Sequence, residues 1–415
     1  MVNVFVVLSG VGDRGCKVFN GATPLEVAKT KNLDYFASNG NGGYFYPINE
    51  HVAPENDEAI MALLGTDPQT QHYGRGAVEA YAVGIGFKKG YLALRTNFST
   101  VEKEIVLDKR TGRSLTSKEA EEFARSLNEN IKLEFPFVFK PTFSHRGILM
   151  FKGNFSDNIT NVDLSYKKIG KFGVSGYGDK NKLSSAKPLD PESNTRKSAK
   201  IVNDFVKQSQ DILSKHPLNE KRKKNYLLAA NVVVPRDAGV SLPVLNKNKG
   251  WGAIVSSPLE KGFAALSGMK IIDYNYPEIK NHDIYDTLYK GIKVTVKHAI
   301  KQIQEGEFKN YFIHFREFDI AGKDNRPKEK VKMIEFLDGT LFKFLRKNNR
   351  DLNLVITSDH STPCDLRANG VDPVPLIHFG KGKQDGIQRF TEHECFEGHY
   401  KKMYGKEVMH KVGFL

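Results

Sequence analysis

Two short apolar runs near the ends of the chain constrain its fold more than any other feature. Val2–Leu8 is apolar except for Asn3, and Leu352–Thr357 is a shorter run of the same kind. A strand with one face in water alternates apolar and polar residues, so a nearly unbroken apolar run predicts a strand covered on both faces. Strands of this kind are typical of parallel sheets with helices packed on either side. The sequence therefore predicts an α/β fold with a mostly parallel sheet.

Helix signals lie between the predicted strands. Thr23-Pro24-Leu25-Glu26 combines an N-cap residue, a proline at the first helical position and a glutamate three residues after the cap. Residues 327–347 place apolar residues along one face of a helix. This second helix falls between the predicted strands Tyr311–Phe315 and Leu352–Thr357. A strand, a helix and a strand in that order indicate two parallel neighbours in one sheet.

The middle of the chain has a different character and predicts a second domain. A chain of 415 residues exceeds the usual size of one domain. From about Tyr91 to Val240 the apolar pattern is less regular, and the polar stretch Gly176–Lys200 predicts a long loop. We expect residues 1–75 and 250–415 to form a discontinuous core domain. Residues 76–249 would form an inserted second domain.

Composition leaves several partners open. The net charge is +14, but the lysine-rich stretches are dispersed along the chain. Such a charge is typical of a solvated basic surface, of a funnel for an anionic substrate, or of a nucleic-acid surface. The three cysteines are odd in number and scattered, which favours reduced thiols in the cytoplasm. No apolar run approaches the ~20 residues of a membrane helix, so we expect a cytoplasmic protein without a membrane partner.

Polar side chains that suit metal and phosphate chemistry follow the predicted strands. Ser9, Asp319 and the pair Asp359-His360 each come directly after one of them. The carboxyl ends of parallel strands meet at one edge of a sheet, where α/β proteins bind their ligands. Asn56 and Asp57 precede a helical run, where backbone N–H groups and the helix dipole favour an anion.

The ordered motifs of the whole chain resemble one family. The chain is similar to archaeal-type 2,3-bisphosphoglycerate-independent phosphoglycerate mutases, which belong to the alkaline phosphatase superfamily. The resemblance implies an alkaline-phosphatase-like, mostly parallel sheet flanked by helices, with a smaller inserted α/β domain. It rests on these motifs, among others: Gly10-Val-Gly-Asp-Arg14, Leu63-Leu-Gly-Thr-Asp-Pro68, Arg95-Thr-Asn-Phe98, Arg236-Asp-Ala-Gly239, Asp319-Ile-Ala-Gly322 and Thr357-Ser-Asp-His-Ser-Thr-Pro363.

The resemblance implies an activity and a site. Members of the family interconvert 2-phosphoglycerate and 3-phosphoglycerate in glycolysis, using two divalent ions, Mn or Zn, and a serine that takes up the phosphoryl group. Three metal-ligand positions are kept, as Asp319, Asp359 and His360. The implied substrate-binding residues are Arg75, Arg95, Arg146, Asn231 and Arg236.

Other positions of the family pattern hold different residues. Asn56 stands at the nucleophile position beside a retained Asp57, while Ser9 and Asn369 stand at lost metal-ligand positions. Lys323 replaces a histidine ligand. An asparagine amide cannot form the phosphoenzyme, and an ammonium has no lone pair for a metal. We therefore expect no ion or one weakly bound ion, with the Lys323 ammonium paired to the aspartates instead.

Three hypotheses for function follow. The first is a degenerate paralogue that has little or no mutase activity and still binds a phosphorylated small anion. The second is an active phosphoglycerate mutase or related phosphotransferase that uses substitute groups. The third is a basic scaffold for nucleic acid or a ribonucleoprotein. His314, inside an apolar strand, is expected to be a packed histidine. The sequence gives no basis for predicting an oligomeric state.

Overall fold

The computed structural model describes residues 2–71, 73–103, 105–163, 166–169, 172–175, 182–380 and 384–414. The strands in this part of the chain are β1 (Val2–Leu8), β2 (Gly10–Gly12), β3 (Asn41–Tyr46), β4 (Leu92–Glu102), β5 (Ile105–Asp108), β6 (Phe137–Pro141), β7 (Arg146–Phe151), β8 (Tyr166–Ile169), β9 (Phe172–Ser175), β10 (Val232–Gly239), β11 (Trp251–Ile254), β12 (Lys270–Ile271), β13 (Asn310–Phe315), β14 (Leu352–Thr357), β15 (Val374–Phe379) and β16 (Lys402–Tyr404).

Helices connect and cover the strands. They are α1 (Pro24–Val27), α2 (Lys31–Ser38), α3 (Asn56–Leu63), α4 (Arg75–Ala82), α5 (Ser117–Asn130), α6 (Ser193–Ser214), α7 (Pro217–Lys224), α8 (Pro258–Leu266), α9 (Ile284–Glu305), α10 (Glu317–Lys323), α11 (Pro327–Leu337), α12 (Lys343–Lys347), α13 (Glu392–Glu397) and α14 (Val408–Lys411). A π-helical turn, Asp338–Phe342, joins α11 to α12.

The larger sheet has eight strands in the order β12-β11-β13-β1-β14-β15-β3-β16. The pairings from β12 to β14 are parallel, and β15 runs antiparallel to both of its neighbours. Val4, Val6 and Leu8 of β1 pack into one apolar cluster, while Phe5 and Val7 pack into another on the opposite face. This alternation explains the apolar run of β1, because both faces of the strand are covered.

The second sheet is antiparallel and has its own core. It follows the order β10-β4-β7-β6, with β5 added along β4. Its apolar cluster includes residues of α5 and α6, such as Phe123, Val202 and Phe205. Helix α4 contacts strands β4 and β10 of this sheet. It also contacts α8, the helix that follows β11 of the larger sheet.

The local predictions have mixed outcomes. The capping box at Thr23 is confirmed, because its hydroxyl accepts a hydrogen bond from the Glu26 amide and the Glu26 carboxylate accepts one from the Thr23 amide. The predicted loop at 176–200 is wrong for its last part, since α6 begins at Ser193. Residues 176–181 of that prediction lie outside the described residues. Among the helices described, none combines the length and apolarity that crossing a membrane requires.

Candidate active site

The carboxyl ends of β1 and β14 bring Ser9 and Asp359 together. The two strands are parallel neighbours, so the residues that follow them emerge side by side. The Ser9 hydroxyl donates a hydrogen bond to Asp359 Oδ2 over 3.0 Å, and the Gly10 amide donates to the Ser358 hydroxyl. Ser9, Asp359 and His360 are fully buried. The predicted meeting of strand ends is therefore present in the structure.

His314 also contacts this cluster. It lies on β13, the other parallel neighbour of β1, and its Nε2 is 3.2 Å from Asp359 Oδ2. Burial opposes the charged imidazole, but the hydrogen bond to Asp359 and the nearby Glu260 and Glu317 carboxylates together outweigh burial and raise the pKa of His314. Burial likewise opposes the Asp359 carboxylate, while His360 and His314 lower its pKa to about 2. His314 is packed, as expected from the sequence, but it is also an ionic partner of Asp359.

Lys323 occupies the position where the family pattern has a histidine ligand. Helix α10 starts two residues after β13, and Asp319 and Lys323 lie one turn apart on it. The Lys323 ammonium is 2.9 Å from Asp319 Oδ1, 3.0 Å from Asp319 Oδ2 and 3.3 Å from Asn56 Oδ1. Burial opposes ionisation of Asp319, yet the ammonium holds the pKa of this carboxyl well below its usual range.

The first turn of α3 supplies Asn56 and Asp57, as the sequence predicted. Asn56 is the first residue of α3, and its amide oxygen is 3.5 Å from Asn369 Nδ2, which donates more closely to the Pro54 carbonyl. Asp57 accepts a hydrogen bond from the Tyr73 hydroxyl over 2.9 Å and lies 3.9 Å from the Arg75 guanidinium. Burial raises the pKa of Asp57.

These residues do not fit a two-metal centre. A divalent ion needs several oxygen or nitrogen lone pairs directed at one point. Here the Lys323 ammonium lies against Asp319, and the Ser9 hydroxyl lies against Asp359. Two atoms at the family's ligand positions, His360 Nε2 and Asn369 Oδ1, are buried without a hydrogen-bond partner. His360 Nε2 lies 3.9 Å from Asp319 Oδ1 and 3.7 Å from Asp359 Oδ1.

A second cluster of potential metal-ligand atoms lies outside this group of residues. Side-chain atoms of Asp13, Cys16 and Cys364 lie within 4.8 Å of one another, and all three residues are buried. The Lys330 ammonium is 2.7 Å from Asp13 Oδ2 and also donates to the Thr362 carbonyl. Burial raises the pKa of the Cys16 thiol to about 12. The Lys330 ammonium already occupies the Asp13 carboxylate and would compete with a metal ion for it.

Next to Asn56 and Lys323 lies a small enclosed space, here called the arginine cavity. Its volume is about 30 Å³, which is room for roughly two water molecules. Both sheets contribute to its wall, through α3 and α10 on one side and β4, β7 and β10 on the other. Its lining residues are Glu55, Asn56, Arg75, Arg95, Asn97, Arg110, Arg113, His145, Arg146, Arg236, Ser257, Glu260, Arg316, Asp319, Ile320 and Lys323.

Most of these arginines already have acidic neighbours. Arg75 Nε is 2.7 Å from Glu79 Oε1, Arg113 Nε is 2.7 Å from Asp324 Oδ1, and Arg236 pairs with the adjacent Asp237.

Arg146 and Arg316 differ from the other arginines of the cavity, since none of the ion pairs among the described side chains includes either of them. Burial and the neighbouring Arg95 and Arg316 lower the pKa of Arg146 well below the ordinary value. A buried cation among other cations is stabilised by an anion, and guanidinium groups bind phosphate and carboxylate in a bidentate manner.

The structure brings together four of the five predicted substrate residues. Arg75, Arg95, Arg146 and Arg236 line the arginine cavity, and Asn231 does not. The Asn231 side chain makes two hydrogen bonds to the backbone of β4. It accepts one from the Val101 amide over 2.8 Å and donates one to the Val101 carbonyl over 2.7 Å. Its predicted role in ligand binding stays a prediction.

Sequence reasoning missed several residues of the cavity. His145 precedes Arg146 at the start of β7, and that adjacency was the available signal. Burial and the surrounding arginines lower the pKa of His145, so its imidazole is neutral. Ser144, before it, has φ of 56°, a conformation that is costly for a residue with a side chain. No sequence motif distinguished Arg110, Arg113 and Arg316 from ordinary surface arginines.

Comparison with known proteins decides the family. The sequence is 33% identical over 419 residues to the 2,3-bisphosphoglycerate-independent phosphoglycerate mutase of Thermococcus gammatolerans, and the match covers 98% of this chain and 95% of the relative. The chain belongs to this mutase family. The corresponding mutase of Methanococcus maripaludis is 31% identical over 417 residues, with 99% of this chain and 96% of the relative covered. A family model described as 2,3-bisphosphoglycerate-independent phosphoglycerate mutase matches residues 37–219.

Solved structures share the fold of this chain. The structure of a protein from Pyrococcus horikoshii superposes with a TM-score of 0.75 at 26% identity, covering 99% of this chain and 97% of that one. The cofactor-independent phosphoglycerate mutase of Thermoplasma acidophilum superposes with a TM-score of 0.56 at 24% identity, and both chains are covered completely. The predicted membership in the mutase family and the predicted α/β fold with a mostly parallel sheet are confirmed. The boundaries at 75/76 and 249/250 stay a prediction.

Proposed function

We propose that this member of the mutase family binds a phosphorylated small anion in the arginine cavity and does not interconvert 2- and 3-phosphoglycerate. One observation carries the proposal. The Lys323 ammonium lies 2.9 Å from Asp319 Oδ1 and 3.3 Å from Asn56 Oδ1. A positive side chain and an amide thus stand at the two positions where the family pattern has a histidine ligand and a serine.

The chemistry of both groups supports a loss of turnover. A phosphoryl acceptor must have an oxygen, nitrogen or sulfur lone pair that can attack phosphorus, and the Asn56 amide has none that is suitable. A protonated lysine supplies one fixed positive charge but no open coordination position for an attacking or leaving oxygen. Binding does not depend on these steps, because Arg146 and its neighbours keep their guanidinium groups at the cavity.

A coupled assay for interconversion of the two phosphoglycerates, with Mn²⁺ added, tests the loss of turnover. We expect no turnover above background. The Thermococcus kodakarensis mutase, 33% identical to this chain, serves as the positive control. The matched variant carries Ser9→Asp, Asn56→Ser, Lys323→His and Asn369→His together. Turnover by the unmodified chain would favour the hypothesis of an active enzyme with substitute groups.

Calorimetric titration with 3-phosphoglycerate tests the binding. We expect saturable binding that is abolished by Arg146→Gln and unchanged by Arg350→Gln, since Arg350 is exposed and distant in sequence from every cavity segment. Elemental analysis should find less than one tightly bound Mn or Zn per chain. No binding at millimolar ligand, or two ions per chain, would contradict the proposal. Salt-sensitive RNA binding in the absence of anion binding would favour the nucleic-acid hypothesis.

A further inference from the structure

A second cavity backs onto the arginine cavity and extends what the site can hold. This outer cavity has a volume of about 330 Å³. Its lining residues are Ala82, Val83, Ser117, Lys140, Pro141, Thr142, Phe143, Ser256, Pro258, Lys261, Tyr276, Pro277, Glu278 and Arg316. Arg316 lines both cavities. Two chain segments, 142–146 and 256–261, also contribute neighbouring residues to each of them.

The two volumes limit how much of a ligand each cavity can hold. The arginine cavity, at about 30 Å³, has room for no more than a single anionic head group. The outer cavity is about an order of magnitude larger and shares Arg316 with it. A ligand that spans both cavities would place its head group near Arg146 and the remainder of its structure in the outer cavity.

The side chains that line the outer cavity determine which chemical groups of a ligand can bind there. Phe143 and Tyr276 contact each other edge to face, with ring centroids 5.8 Å apart. Prolines and aliphatic side chains form much of the remaining wall. The Arg316 guanidinium lies 3.9 Å above the Phe143 ring and 5.0 Å from that of Tyr276, so its flat face already stacks on aromatic carbon. Flat, polarisable groups bind well to surfaces of this kind.

The lysines of the outer cavity are already engaged. Lys140 Nζ donates to the Val83 carbonyl over 2.8 Å, and Lys261 Nζ is 3.1 Å from Asp273 Oδ1. Glu278 adds a negative charge to the wall. These contacts disfavour a second phosphate in the outer cavity and favour a neutral group.

We propose that the ligand is a phosphate monoester of a flat, aromatic body, of which a nucleoside 5′-monophosphate is the biological form. The phosphate lies among Arg146, Arg316 and the other arginines, and the ring system lies in the outer cavity against Phe143 and Tyr276. This inference rests on the proposed function, because it requires anion binding in the arginine cavity. It specifies the chemical class of the ligand, which differs from phosphoglycerate in carrying a large, flat aromatic group.

Calorimetry with a nested set of probes tests the inference. The probes are inorganic phosphate, glycerol 3-phosphate, phenyl phosphate, adenosine 5′-monophosphate and fructose 1,6-bisphosphate. We expect phenyl phosphate and adenosine monophosphate to bind about tenfold or more tightly than glycerol 3-phosphate, from ring stacking. In Phe143→Leu, which keeps an apolar side chain and removes the ring, this advantage should be lost while binding of inorganic phosphate persists. Phe396→Leu is the matched control, since Phe396 is a half-exposed aromatic residue on α13.

The outcomes separate this inference from the proposed function. If glycerol 3-phosphate binds as tightly as the aromatic esters, the inference is overturned and anion binding stands. Tighter binding of fructose 1,6-bisphosphate than of adenosine monophosphate would place a second phosphate in the outer cavity and also overturn it. If none of the five probes binds, both proposals fail. Loss of phosphate binding in Phe143→Leu would show that the ring supports the arginine cavity itself, contrary to the inference.

Discussion

Removing the charge of Lys323 gives the sharpest test of how the site is held together. Lys323→Met keeps the length of the side chain and deletes the ammonium that lies 2.9 Å from Asp319 Oδ1. The Asp319 carboxylate, 6% exposed, would retain the Thr362 hydroxyl as a donor at 2.9 Å and His360 Nε2 at 3.9 Å. A buried carboxylate that loses its cation is a known source of large destabilisation.

The expected magnitude follows from the burial of the pair. Truncating one partner of a fully buried ion pair costs about 3–5 kcal/mol. The Lys323 side chain is 15% exposed, and His360 stays near Asp319, so we expect a loss of about 2–3 kcal/mol at pH 7. The pKa of Asp319 is lowered in the folded protein. The pair therefore stabilises the fold above the pKa of an unfolded aspartate, and the difference between the proteins should shrink as the pH falls below about 4.

Urea unfolding followed by tryptophan fluorescence measures this effect directly. The chain has one tryptophan, Trp251, and it is buried on β11 of the sheet that carries the site. Lys328→Met is the control, because Lys328 is exposed and its loss should change stability by less than about 0.5 kcal/mol. Adding Asp319→Asn to Lys323→Met should recover most of the loss. A Lys323→Met variant as stable as the unmodified protein would refute the reasoning. Additive losses of unfolding free energy from the two substitutions would also refute it.

Two further predictions concern buried charged and titratable groups. Burial lowers the pKa of His378 to about 4, so the folded state binds fewer protons than the unfolded state as the pH falls from 6.5. His378 should thus cost about 3 kcal/mol of stability between pH 6.5 and 4, and His378→Gln should flatten this part of the stability profile measured in urea. Lys330→Met should lower the free energy of unfolding by about 3–5 kcal/mol, because it leaves Asp13 buried without a cation. Thermal melting of Lys330→Met with and without Asp13→Asn checks this, and an unaltered melting temperature in the single variant would contradict it.

The sequence predicted the sheet edge well, for a topological reason. Parallel strands must present their carboxyl ends at the same edge, so Ser9 and Asp359 could be placed together although 350 positions separate them. The capping box of α1 was equally predictable, because all of its chemistry lies within four consecutive residues.

Features that depend on distant partners were not predictable. The pairing of His314 with Asp359 requires the register of β13 against β1, which no local pattern encodes. Asn231 matched the family motif, but its amide is consumed by the backbone of a strand far away in the sequence. The start of α6 was missed because its first residues are polar, and its apolar face becomes evident only from Ile201 onward.

The small volume of the arginine cavity has a kinetic consequence. With room for roughly two water molecules, the cavity has to widen to take a phosphate ester. We therefore expect the observed association rate to level off at high ligand concentration, at the rate of that widening. Release meets the same barrier. A ligand once bound is held for longer than its affinity alone would require, and its phosphate is protected from hydrolytic enzymes in solution during that time.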